Sequence, residues 1–252
     1  MKPIIYLFYR DLRLKDNIAL ARAIETGRPI VPVYIHDPNA PSYLLKDSVS
    51  EWWLFKSLKK LDQSLRELNS KLIFRRGNRE EVLKKLIKVT DSEAIYLSRR
   101  YSDWENTEDQ LLSNKLSIPF RRFKGYLLSE PEELRTKSGN AYKVFTPYYK
   151  AFLELKEIAE GIPVPKKLVS PRKWPENEDI ESWKFKNKGT EIHDSIGVLW
   201  NPGETGALCR LETFAAVVDN YNTDRDRPDR DGTSMLSVHL HFGEISPRTI
   251  WN

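Results

Sequence analysis

Residues 4–35 read IIYLFYRDLRLKDNIALARAIETGRPIVPVYI, and their alternation of patterns decides the fold. Ile4-Ile5-Tyr6-Leu7-Phe8 is a short, wholly apolar run, suited to a strand covered on both faces. Asp16 or Asn17 can cap a helix carrying Ile18, Leu20, Ala21 and Ile24, which should end near Gly27. Ile30–Ile35 is a second apolar run. Pro32 lies inside it, which argues against a central position or marks a bulge, because proline has no N–H for a ladder.

The same alternation continues. Ser48 or Ser50 can start a long helix through Trp52, Trp53, Phe55, Leu58, Leu61, Leu65 and Leu68. A strand at Lys71–Arg75, a helix at Glu80–Val89 and a strand at Ala94–Leu97 follow. Asn106 or Thr107 opens the next helix, with Leu111, Leu112 and Leu116, and Ile118–Phe123 is the fifth strand. Strand–helix alternation of this kind predicts an α/β fold, a doubly wound five-stranded parallel sheet over residues 1–125. No Gly-x-Gly-x-x-Gly follows the first strand, so a nicotinamide-dinucleotide fingerprint is absent.

Hydrophobic residues make up 40% and charged residues 31% of the chain, enough for a core under a soluble surface. No apolar run approaches the roughly 20 residues of a membrane span. Met1-Lys2-Pro3-Ile4 leads straight into a strand, which speaks against a signal peptide. Cys209 is the single cysteine; it cannot form an internal disulfide, fits a cytoplasmic location, and reads as a packing residue. A net charge of +5 permits binding to a phosphate backbone without requiring it. His36, His193, His239 and His241 are not spaced as metal ligands, so no metal is expected.

Residues 126–199 are less regular. Phe145-Thr146-Pro147 suits a helix start, with Pro147 at the first helical position and the helix running to about Glu160. The proline-rich runs at 161–165 and 171–175 then read as a long connector.

Residues 200–251, WNPGETGALCRLETFAAVVDNYNTDRDRPDRDGTSMLSVHLHFGEISPRTIW, begin a helical region. Ala207, Leu208, Leu211, Phe214, Ala215 and Val218 recur at helical steps on one face, and Tyr221 continues it. Pro228 and Gly232 break the chain, after which Thr233 or Ser234 can cap a helix whose first turns hold Met235, Leu236, Ser237 and Leu240. Such a tip suits a phosphate, although most capped helices bind nothing. Ser246-Pro247 starts another helix with only five residues after it, which predicts that a longer helical domain has been cut.

Three of these segments together resemble the photolyase/cryptochrome family. Arg10-Asp11-Leu12-Arg13 with Asp16-Asn17 is similar to the family's opening motif, and Phe145-Thr146-Pro147 to an internal one. Most specific is the string from Trp200-Asn201-Pro202-Gly203-Glu204, through Tyr221, to Gly232-Thr233-Ser234 and Phe242-Gly243-Glu244-Ile245-Ser246-Pro247-Arg248, which looks like the opening of the family's flavin-binding domain. Met235 departs from it where arginine is common, and Val238 where proline or alanine is common.

The resemblance implies a Rossmann-like N-terminal domain (1–125), a connector (126–199) and the start of an all-α FAD-binding domain (200–252). It places FAD contacts on Tyr221, Thr233, Ser234, Met235, Leu236 and Ser237, and a DNA phosphate contact on Arg225. It also implies an antenna chromophore, methenyltetrahydrofolate or a deazaflavin. Glu105 reads first as a solvated helix-entry carboxylate; the resemblance gives it a second role as an antenna contact. The activity implied is that of the bacterial members nearest this sequence: light-driven repair of cyclobutane pyrimidine dimers in UV-damaged DNA, a carbon–carbon lyase reaction, by a monomer. Reduced, photoexcited FAD would donate an electron to the flipped-out dimer and recover it after ring splitting. No acid, base or nucleophile is required, and electron-transfer tryptophans are expected beyond Asn252. Two alternatives stand beside this: a cryptochrome-type blue-light receptor, and a non-catalytic α/β antenna-binding or interaction module. The 252 residues alone are expected to hold FAD weakly or not at all.

Overall fold

The structure is a computed structural model and describes residues 1–38, 40, 49–154, 158–183, 197 and 199–252. Five parallel strands, β1 (Ile4–Phe8), β2 (Ile30–His36), β3 (Ile73–Arg76), β4 (Ala94–Ser98) and β5 (Phe120–Phe123), form one sheet in the order β3-β2-β1-β4-β5. This is the doubly wound α/β sheet expected from the alternation. β1 is central and all five of its residues are buried. Ile4, Tyr6 and Phe8 point to the side covered by α1 (Ile18–Glu25) and α2 (Val49–Glu67). Ile5 and Leu7 point to the side covered by α3 (Arg79–Thr90) and α4 (Asp103–Lys115).

Several boundaries differ from expectation. β2 is interior, flanked by β1 and β3, in spite of Pro32. Pairing with β3 begins only at Val33, so the proline precedes the β3 ladder and withholds no donor from it. Of the two caps the sequence offers for α1, Asn17 is the one used as expected, accepting from the Leu20 amide at 3.1 Å. Asp16 instead takes a left-handed backbone (φ 53°). α4 starts at Asp103 and not near Asn106, since Ser102 supplies the extended residue before the first turn. Ser48 lies outside the described residues.

The described residues 158–183 pack against the sheet. Leu168, Ile180 and Trp183 are buried in the α1–α2 side of the core, Trp183 against the rings of Tyr34, His36 and Phe74. Asn177 and Glu178 cover the edge of β3, accepting from the Phe74 and Arg76 amides at 2.6 and 3.1 Å. α5 (Phe145–Leu153) has Pro147 at its third residue rather than its first, which is still among the four positions whose N–H has no helical acceptor.

After the connector come α6 (Glu204–Ala215), α7 (Tyr221–Asp224), α8 (Ser237–Phe242) and α9 (Pro247–Trp251). They are fastened to the loop after β1 by buried polar groups. Arg13, 2% exposed, donates to the Gly243, Asp16 and Gly125 carbonyls at 2.9, 3.1 and 3.0 Å. Glu204 accepts from the Leu14 and Lys15 amides at 2.8 and 2.7 Å; burial pushes its carboxyl pKa up, against the pull of those two N–H groups. Asp16 accepts from Ser246, Arg248 and the Ile162 amide. Glu244, wholly buried, accepts from Trp53 Nε1 and the Gly203 amide at 2.9 and 2.8 Å, and also binds Ser57 and His239.

Gly243 sits at φ 65°, and a Cβ there would lie 1.7 Å from the Arg10 carbonyl oxygen. Gly243→Ala should therefore destabilise the chain by roughly 2–4 kcal/mol, seen as a lower midpoint in urea with an unchanged slope; an unchanged midpoint contradicts this packing. Glu244→Ala strands several buried donors and should cost about 3 kcal/mol or more. Its check is Trp53 emission in the native state, expected to change as the indole loses its acceptor.

Candidate functional site

The residues read from the sequence fall into two places. The first is the surface between α6 and α8. Tyr221 opens α7, meets Phe214 edge-on at 6.0 Å, and lies under the Arg225 guanidinium at 5.4 Å. The apolar stripe of α6 is buried only at Ala207; Val217, Val218 and Tyr221 are exposed. Gly232 turns the chain directly against Asp224, where a Cβ would lie 2.6 Å from the Asp224 backbone. Arg210 then ties the returning strand of the loop to α6, donating to Asp231 at 2.6 Å and to the Ser234 carbonyl at 3.3 Å.

Thr233 and Ser234 do not cap a helix as expected. α8 begins only at Ser237, because Met235 adopts a left-handed backbone (φ 51°) that interrupts any earlier turn. Thr233, Met235 and Ser237 are exposed, Ser234 is half-buried, and Leu236 is buried. Among the described residues no hydrogen bond or ring contact joins Tyr221 to residues 233–237. The loop therefore presents the exposed Thr233, Met235 and Ser237 to its surroundings.

Arg225 is half exposed, and its pairing with Asp226 at 3.5 Å is a surface contact of little strength. Its neighbours are spoken for: Arg227 pairs with Asp229 at 2.7 Å, and Arg230 with Asp224 at 2.9 Å.

The second place is a cavity of about 260 Å³ at the carboxyl ends of β1 and β4. These strands flank the point where the strand order reverses, which is where α/β sheets open a crevice. Tyr9, Arg10, Ser98, Tyr101, Glu105 and Tyr126 line it. Tyr101 and Tyr126 lie 6.3 Å apart at 30°. Tyr9 is stacked under Arg100 and Arg79 at 3.9 and 4.7 Å, and its buried hydroxyl has no hydrogen-bond partner.

Glu105 is not the solvated carboxylate of its local reading: its side chain is 12% exposed, accepting from Arg10 at 3.3 Å and Ser102 at 2.6 Å. His241, on α8, has its pKa lowered by burial and by Arg10. Sequence reasoning pointed to Glu105 and to the segment from Tyr101 that carries it, but not to Tyr9, Arg10 or Tyr126 as lining residues. Tyr9 and Arg10 follow β1, Tyr101 follows β4 and Tyr126 follows β5, and only the strand order makes those ends neighbours.

Metal coordination has no candidate: among the described residues no three His, Cys, Asp or Glu side chains cluster as ligands, and His193 lies outside them. Among the same residues no helix is long and apolar enough to cross a membrane.

Comparison with known proteins agrees with this architecture. The DNA photolyase family model matches residues 4–167. The deoxyribodipyrimidine photo-lyase of Agrobacterium fabrum (strain C58) is 38% identical over 254 residues, covering 99% of this chain and 52% of the relative. Cryptochrome-1 of Arabidopsis thaliana is 30% identical over 260 residues, covering 98% of this chain and 37% of the relative. The crystal structure of a class III photolyase from Agrobacterium tumefaciens superposes with a TM-score of 0.93 at 38% identity, over 100% of this chain and 52% of that one. The chain thus spans about half the length of these photolyase relatives, and it belongs to the DNA photolyase family.

Proposed function

We propose that this chain is the N-terminal part of a light-driven, FAD-dependent deoxyribodipyrimidine photo-lyase that repairs cyclobutane pyrimidine dimers in UV-damaged DNA. The observation that carries the reading is similarity along the whole chain, 38% to a photo-lyase against 30% to a cryptochrome. On this reading residues 1–125 form an antenna-type domain, 126–199 a connector, and 200–252 the start of the helical flavin domain, in a monomeric cytoplasmic protein.

FAD, when bound, supplies the photochemistry, and the protein's part is to hold and orient it. On this reading the exposed Thr233, Met235 and Ser237, the half-buried Ser234, the buried Leu236 beneath them and the exposed Tyr221 are the residues that would contact the flavin. Arg225 would take a DNA phosphate. The cavity at the β1–β4 switch fits a flat antenna ring, a folate or a deazaflavin. Tyr101 and Tyr126 would face the ring, and Glu105 would accept from ring N–H groups.

The decisive experiment joins this chain at Asn252 to the remaining C-terminal part of the Agrobacterium fabrum relative. Blue light should then let the flavin-loaded protein restore a thymine-dimer oligonucleotide; flavin binding without any repair would sink the reading and favour a cryptochrome. In the same protein Glu105→Ala should lower the content of any second chromophore at least about tenfold, by loss of a charge-assisted hydrogen bond, while the flavin band stays constant. Equal second-chromophore content would remove Glu105 from that role.

A further inference from the structure

We infer that the basic ribbon at residues 166–173 is a binding surface for the phosphate backbone of duplex nucleic acid, undamaged as well as damaged. It stands independently of the photolyase reading, since it calls for neither flavin nor a lesion. Lys166, Lys167, Arg172 and Lys173 fall within eight residues, and all four are exposed. Among the described residues none of the four meets a carboxylate or any other partner. Between residues 162 and 177 the one acidic residue is Glu176. Lys71 adds a fifth cation beside them, its Nζ 5.1 Å from the centre of the Trp174 ring.

The cations are held in place rather than carried on a free tail. At one end the Asp16 amide donates to the Ile162 carbonyl at 2.7 Å, and the Asp16 carboxylate accepts from the Ile162 amide at 2.9 Å. Asp16 lies in the loop beyond the carboxyl end of β1. Further on, the Val169 carbonyl accepts from the amide of Ile30, the first residue of β2, at 2.8 Å. The stretch 162–169 therefore runs from the carboxyl end of the sheet to its amino end, which takes a nearly extended chain. Ser170 Oγ then donates to the Asn69 carbonyl at 2.5 Å. Leu168 and Pro171 are buried between the two exposed cation pairs, so the ribbon is seated from beneath while its charges stay in water.

Fixed cations without carboxylate partners suit a polyanion, because each phosphate they neutralise releases condensed counterions. Lys167 and Arg172 are at most about 18 Å apart along the chain. A DNA major groove is about 12 Å wide, so both pairs fall within the span of a single groove. An anionic membrane is met by an amphipathic helix lying in the interface; here the charges ride on an extended ribbon tied to the sheet. Duplex backbone is the partner this arrangement fits.

The test is binding of the 252-residue chain to an undamaged, fluorescently labelled DNA duplex of about 20 base pairs, read by anisotropy in the dark across a salt series. Each phosphate neutralised contributes about −0.9 to the slope of log affinity against log salt. The variant Lys166→Gln/Lys167→Gln/Arg172→Gln/Lys173→Gln should make that slope shallower by about 3 and weaken binding at least about tenfold near 50 mM salt. The variant Lys84→Gln/Lys85→Gln/Lys88→Gln/Lys115→Gln, on α3 and α4, changes the net charge equally and should leave the slope within about 1 of the parent. Lys166→Arg/Lys167→Arg/Lys173→Arg should bind like the parent, which separates loss of charge from loss of fold. Equal losses from the two glutamine variants, or no binding by the parent chain, would overturn the inference. So would a preference for vesicles containing phosphatidylserine over the duplex, which would make a membrane the partner. Arg225→Gln reports on the phosphate contact proposed for that residue: loss with it alone would keep Arg225 and sink the ribbon, and loss with the ribbon variant alone would do the reverse.

Discussion

Buried carboxylates and one buried guanidinium fix how the C-terminal helices sit on the sheet. Asp16, Glu204 and Glu244 each accept hydrogen bonds from parts of the chain far away in sequence, and Arg13 donates to three separate carbonyls. Ion pairing out of water is not in itself a strong source of stability. What matters here is the penalty for leaving any of these groups without its partner, which makes one arrangement of the segments much better than its neighbours. The Gly243 contact with the Arg10 carbonyl adds a steric demand at the same place.

That junction links the two candidate sites. Arg10 and Asp11 line the cavity at the sheet's switch point, while Leu12 bonds the end of α8 through the Phe242 carbonyl at 3.2 Å. Glu244 binds the residue just before α6, and α6 in turn holds the 231–234 loop through Arg210. One short loop after β1 thus borders the cavity and anchors α6 and α8. The family motifs at Arg10–Asn17, at Trp200–Glu204 and at Phe242–Arg248 are parts of a single structural device.

Much of the fold was legible because it is local. The apolar run at Ile4–Phe8, the cap at Asn17 and the periodicity of α2 belong to short windows whose patterns report burial directly. Pro32 misled because a ladder donor matters only where a partner strand exists, and β3 starts one residue later. The start of α8 was misplaced because Met235 takes a left-handed backbone beside the Arg210 contact to the Ser234 carbonyl, and that long-range contact has no local signature. The meeting of Tyr9, Arg10 and Tyr126 with Glu105 and the partners of Asp16 were invisible for the same reason. They depend on strand order and on contacts across more than two hundred residues, such as Asp16 with Arg248. The resemblance of Arg10–Asn17 to a family motif flagged the segment without saying what it holds.

Native-state hydrogen exchange of the 252-residue chain tests this account most directly. If the buried junction makes the C-terminal helices cooperative with the sheet, the Leu12 and Glu244 amides should open with the same free energy and denaturant dependence as the amides of β1. Opening of Leu12 and Glu244 at a markedly lower free energy, with β1 still protected, would contradict it.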